Sequence, residues 1–145
     1  MKYLYLTLIL ATMNSFGQLV KVDYADGNQK LEGFFAKAQK ANPKKVGVIV
    51  LPAWMGVDAH AKESAENLSK LGYHAFVADI YGVGNNPKNT GEAGKNAGFY
   101  KNNPAEYQKR IQLAIDQLVK VGADKNQIAV IGYCFGGTGA IEAAR

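Results

Sequence analysis

Leu19 to Tyr24 alternates apolar and polar positions, Asp26-Gly27 follows, and Leu31 to Phe35 resumes an extended pattern. A period of two marks a half-buried strand, and Asp-Gly takes the positive φ angles a tight hairpin needs. The segment predicts an antiparallel hairpin, with Lys37 to Lys45 as a polar link. Val46-Gly47-Val48-Ile49-Val50-Leu51 is instead a continuous apolar run, as expected of a strand buried on both faces of a parallel sheet. Pro52 to Asp58 reads as a loop. Ala61, Ala65 and Leu68 then recur at helical spacing from about Ala59, and Gly72 stops that helix. His74 to Ala78 is a second buried strand, ending at Asp79.

Gly82 to Asn103 is rich in Gly, Asn and Lys without a clear period, and reads as a long surface excursion. Asn103-Pro104 starts a helix, since Asn caps well and Pro suits the first helical position. Tyr107, Ile111, Ala114, Ile115, Leu118 and Val119 give that helix an apolar face, and Gly122 closes it. Ile128 to Ile131 reads as a third buried strand. It runs into Gly132-Tyr133-Cys134-Phe135-Gly136-Gly137, and a helix begins at Thr138. A hairpin followed by alternating strands and helices predicts an α/β fold with a mainly parallel sheet and flanking helices. The pattern shows no internal repeat and no second domain.

With 145 residues, 48% hydrophobic and 20% charged, the chain has the composition of one soluble domain. The net charge is +5, but the lysines are scattered and form no stripe interleaved with aromatics, which argues against a nucleic-acid partner. The N-terminus changes the picture more. Met1-Lys2-Tyr3 is a basic start, Leu4 to Thr12 an apolar stretch too short to span a bilayer, and Ser15-Phe16-Gly17 a cleavage site before Gln18. Residues 1–17 are therefore expected to be a signal peptide. Residues 18–145 form the mature domain, secreted or periplasmic and free of the membrane after signal removal. Cys134 is the sole cysteine, so neither an internal disulfide nor a lipidated cysteine at the cleavage site is expected.

The neighbours of Cys134 carry the chemistry. A strand turning at once into a helix forces the central residue into a strained backbone and lifts its side chain above the sheet edge. Flanking glycines are needed where a Cβ would strike the adjoining backbone, and Gly132, Gly136 and Gly137 stand at those positions. The helix N-terminus below favours an anion, and the thiolate is the nucleophilic form. Glycine-rich turns of this kind also hold phosphates. A dinucleotide fingerprint, however, needs a third glycine where Glu142 stands, and a phosphate loop needs lysine at Thr138.

Gly132-Tyr133-Cys134-Phe135-Gly136-Gly137 resembles the nucleophile motif of the dienelactone hydrolase family. So do Leu71-Gly72-Tyr73 leading to Ala78-Asp79-Ile80-Tyr81-Gly82, and the strand whose loop closes on Gly56-Val57-Asp58. The resemblance runs from about Val20 to Arg145 and implies an α/β-hydrolase-type fold and hydrolysis of an ester or lactone. It implies Cys134 as nucleophile, with the backbone N–H groups of Trp54 and Phe135 as oxyanion hole. Two departures stand beside it. Ala53 occupies the place where the best-known members carry a glutamate facing the thiol, and Val83 the place of an arginine that holds a substrate carboxylate. The expected substrate is a small ester or lactone without that carboxylate.

In this fold the nucleophile is followed in the chain by an acid and then a histidine. The eleven residues after Cys134 hold no histidine and no aspartate, and Glu142 reads as a solvated helix residue. His74 falls at the far end of its strand, His60 at a helix start on the reactive edge, and Asp79 at a strand end where loop bonding is the simplest role. The expectation is a chain lacking the C-terminal part of the fold, with an incomplete triad and poor activity. The alternative is a non-catalytic α/β binding or scaffold protein with a vestigial turn. No metal cluster is visible in the sequence, hydrolysis by this route needs no cofactor, and no sequence feature sets an oligomeric state.

Overall fold

The computed structural model describes residues 18–145; the signal-peptide expectation for residues 1–17 lies outside the described residues. The elements are β1 (Val20–Asp26), β2 (Gln29–Ala36), β3 (Gly47–Leu51), α1 (Ala59–Leu71), β4 (His74–Val77), α2 (Thr90–Asn102), α3 (Pro104–Lys120), β5 (Ile128–Gly132) and α4 (Phe135–Ala143). They build one five-stranded sheet in the order β1-β2-β4-β3-β5. The hairpin pairs antiparallel and joins β4 antiparallel, while β4, β3 and β5 run parallel. The sheet is mixed, with its parallel part on the side that carries Cys134.

The continuous apolar run of β3 is explained by cover on both faces. Ile49 and Leu51 point into a core shared with Phe76, Tyr107, Ile111, Leu118 and Phe135. Val50 points the other way, against Ala61 and Ala65 of α1 and Ala75 and Val77 of β4. Helix α1 starts where Asp58 accepts the Ala61 N–H at 2.8 Å and ends at Gly72, whose φ of 102° is left-handed.

Three expectations are corrected. The stretch after Gly82 is not a single excursion, because it contains α2. Asn89 caps this helix by accepting the Glu92 N–H at 2.9 Å, and the Glu92 carboxylate reaches back to the Lys88 N–H at 2.8 Å. Its buried face is Ala93, Ala97 and Tyr100. Alanines contribute little to a hydrophobic period, which hid the helix. Second, β5 is not fully buried. It pairs only with β3, and Ile128, Val130 and Ile131 are half-buried or packed at the margin of the two cores. Third, α4 begins at Phe135 and not at Thr138. The bonds Gly136 N–H to Tyr133 O (2.8 Å) and Gly137 N–H to Cys134 O (3.0 Å) start the winding within the glycines themselves.

Candidate active site

β3 and β5 lie side by side in register, with Leu51 opposite Gly132. Their C-terminal ends therefore open on the same sheet edge. Three residues beyond Leu51 stands Trp54, and three beyond Gly132 stands Phe135. Between strand and helix, Cys134 takes φ 53° and ψ −110°, a backbone region that L-residues avoid, and its side chain is exposed.

Close backbone approach dictates two of the three expected glycines. A Cβ on Gly132 would overlap the carbonyl of Gly136, and one on Gly136 would overlap the carbonyl of Leu51. Gly137 is a correction, since a Cβ there would meet only the Gly132 oxygen at an ordinary 3.6 Å. The third sterically required glycine is Gly139, where a Cβ would fall 2.5 Å from the Tyr107 phenol oxygen. Nothing in the local sequence marks it, because Tyr107 lies on another helix.

An aromatic layer supports the turn from below. The Phe135 ring is buried and stacks on Tyr107 at 4.8 Å and on Tyr81 at 5.7 Å between centroids. Tyr107 donates to the Phe135 carbonyl at 3.2 Å, and Tyr81 donates to the Trp54 carbonyl at 2.9 Å. Burial pushes both phenols well above the ordinary tyrosine range, so each stays protonated as a donor. Tyr81 thus joins the two loops that carry Trp54 and Cys134. Sequence reasoning used Tyr81 only as part of a motif. Among the described residues, the N–H groups of Trp54 and Phe135 donate to no hydrogen-bond acceptor.

The other titratable residues fall away from the thiol or serve the scaffold. His74 begins β4 opposite Gly47, at the sheet edge remote from Cys134. It stacks on Phe35, and its Nδ1 accepts the Ala38 N–H at 3.5 Å. Desolvation, helped by Lys37 and Lys45, holds its pKa below the ordinary value. His60 sits in the first turn of α1, its ring 4.6 Å from the Tyr133 ring. Asp79 is buried and accepts the Gly82 N–H at 2.8 Å and the Glu32 N–H at 3.0 Å, so it ties the end of β4 to β2 and to the following loop. Burial raises its pKa against the pull of those donors. Glu142 is not freely solvated, being half-buried and paired with Arg145 at 3.0 Å. Among the described residues no group of His, Cys, Asp and Glu is arranged to hold a metal, and no helix is long and apolar enough to cross a membrane.

Strand order, parallel register and the cysteine at the strand-to-helix turn define an α/β-hydrolase-type protein. Residues 31–145 match the model of the dienelactone hydrolase family, and the chain belongs to that family. It is similar to a curated protein of Bradyrhizobium sp named "Probable 2-oxo-3-(5-oxofuran-2-ylidene)propanoate lactonase", at 30% identity over 101 residues, which is 68% of this chain and 40% of the lactonase. Among solved structures it is similar to m3DLH (31% identity, TM-score 0.80) and to a dienelactone hydrolase-like promiscuous phosphotriesterase from metagenomic libraries (33% identity, TM-score 0.79). Each comparison covers 88% of this chain and 53% of the other. The chain spans about half the length of these relatives.

Proposed function

We propose that this chain carries the nucleophile of an ester or lactone hydrolase, with Cys134 as the attacking group. The observation that carries the reading is the strained, exposed Cys134 at the head of α4, on the same sheet edge as the Trp54 loop. The thiolate Sγ bonds to the carbonyl carbon, and the C=O π electrons move to oxygen. The N–H groups of Phe135 and Trp54 hold that oxyanion, each worth about 3 kcal/mol in sites of this kind. Collapse expels the alkoxide oxygen, which takes up a proton. Water then cleaves the thioester to the acid and restores the thiol.

Neither described histidine is arranged as a base for this thiol. His74 is at the wrong edge, and His60 packs on Tyr133. The reading therefore places base and acid in a part of the protein that these 145 residues do not include, and takes the 145 residues alone to acylate without efficient turnover. It also takes residues 1–17 to be removed on export to a periplasmic or extracellular compartment. The basic start, apolar stretch and small residues before Gln18 support this, and N-terminal sequencing of protein from its source cells should begin at Gln18.

The test of the chemistry is a single-turnover reaction with 4-nitrophenyl acetate, read by intact mass. One acetyl group per chain on Cys134, lost in Cys134→Ala, is the expected result. No acylation, together with alkylation by iodoacetamide no faster than that of a free cysteine peptide, would favour the scaffold alternative.

A further inference from the structure

A cleft of about 550 Å3 lies between α2 and the segment that follows β4. Two of its lining residues also touch the loop that carries Trp54. Tyr81 lines it, and the same phenol bonds the Trp54 carbonyl. Asn86 also lines it, and its carboxamide oxygen fills the space where a Cβ on Gly56, in the Trp54 loop, would stand.

The lining combines two chemistries. Tyr81 and Tyr100 lie 5.8 Å apart, and Phe99 meets Tyr100 edge-on at 5.2 Å. Phe99 is 52% exposed, an apolar ring left open on a helix whose other aromatic, Tyr100, is buried. Lys88, Lys95 and Glu92 supply the charges. The Glu92 carboxylate is already engaged by the Lys88 N–H and the Asn89 side chain. Among the described residues neither lysine ammonium takes part in an ion pair. The cleft thus sets the exposed Phe99 ring, backed by the buried Tyr100, beside two lysines outside any ion pair, a combination that suits a flat ring with a negative substituent.

We infer that this cleft is the subsite for an aromatic group bearing a carboxylate, so that the preferred ester is one with an anionic aryl portion; this revises the expectation drawn from Val83, since the charge is met by Lys88 and Lys95 and not at that position. The inference rests on the hydrolase reading only in calling the ligand part of a substrate. Binding itself needs no thiol.

The experiment is calorimetric titration of the purified chain with 2-naphthoate, its neutral counterpart 2-naphthamide, and cyclohexanecarboxylate. Naphthoate should bind tightest, and its affinity should fall with added salt while that of the amide does not. Replacing both exposed lysines (K88Q with K95Q) should weaken naphthoate roughly fivefold and leave naphthamide unchanged. Phe99→Ala should weaken both aromatic ligands roughly fivefold. Circular dichroism confirms that each variant is folded. Equal binding of acid and amide, indifference to the lysine changes, or equal binding of the non-aromatic acid would overturn the subsite. Naphthoate binding that persists in a protein whose Cys134 never acylates would remove the hydrolase reading and leave the subsite standing.

Discussion

The phenol of Tyr81 donates a 2.9 Å hydrogen bond to the backbone carbonyl of Trp54 while its ring stacks on Phe135. One buried side chain therefore spans the gap between the two loops proposed to supply oxyanion donors. Tyr81→Phe keeps the ring and removes the donor. Stability should fall by about 1 kcal/mol, the usual net worth of such a bond. Acylation of Cys134 should slow about tenfold more than a stability loss alone explains, because the Trp54 amide is no longer held in place. Urea unfolding and single-turnover acylation, compared in the same variant, separate the two effects.

Gly136 and Gly137 are neighbours in sequence with opposite constraints. Gly136→Ala drives a methyl group into the Leu51 carbonyl, a backbone atom that cannot turn aside, and should cost roughly 3 kcal/mol or more. Gly137→Ala meets only open contact, and the gain in helix propensity should raise stability by up to about 1 kcal/mol. Denaturant midpoints for the two variants should move in opposite directions.

Cys134 holds a backbone conformation that glycine adopts without a steric penalty. Strain of this kind costs of order 1–3 kcal/mol. Cys134→Gly should therefore melt at a higher temperature than the parent chain, by about 1 kcal/mol of stability after the added backbone entropy of glycine is subtracted. The same variant should take up no acetyl group. A lower melting temperature would show that the turn is not strained.

His74 gives stability a pH dependence of known sign. Its folded pKa lies below the ordinary 6.5, chiefly through desolvation. Between those two values the unfolded chain binds a proton that the folded chain does not, so unfolding free energy rises with pH across that window. The contribution is complete above pH 6.5 and is lost as the pH falls toward the folded value. Protonation also removes the Nδ1 acceptor for the Ala38 N–H. His74→Phe, which keeps the stack on Phe35, should flatten this part of the profile in urea titrations between about pH 5 and 8.

Features set by neighbouring residues were legible in the chain alone. The Asp26-Gly27 hairpin, the apolar run of β3, the start and stop of α1, and the abrupt passage from β5 to α4 all follow from local spacing and glycine placement. The identity of Cys134 as the residue of interest followed from the same signals. Helix α2 escaped because its buried face is mostly alanine, although the Asn89 and Glu92 pair three residues apart was a usable capping signal.

What the sequence determined, then, was the order of every element but α2 and the exposed cysteine at one turn, since hydrophobic period, capping and backbone freedom act over a few residues. The tertiary structure alone decided what surrounds that cysteine. The Leu51–Gly132 register, the Tyr81–Trp54 bond, the need for glycine at 139 rather than 137, and the union of Phe99 with Lys88 and Lys95 around one cleft each join distant or differently oriented residues. Such contacts depend on which strand faces reach cover and how closely backbones approach, and a linear pattern does not encode those distances.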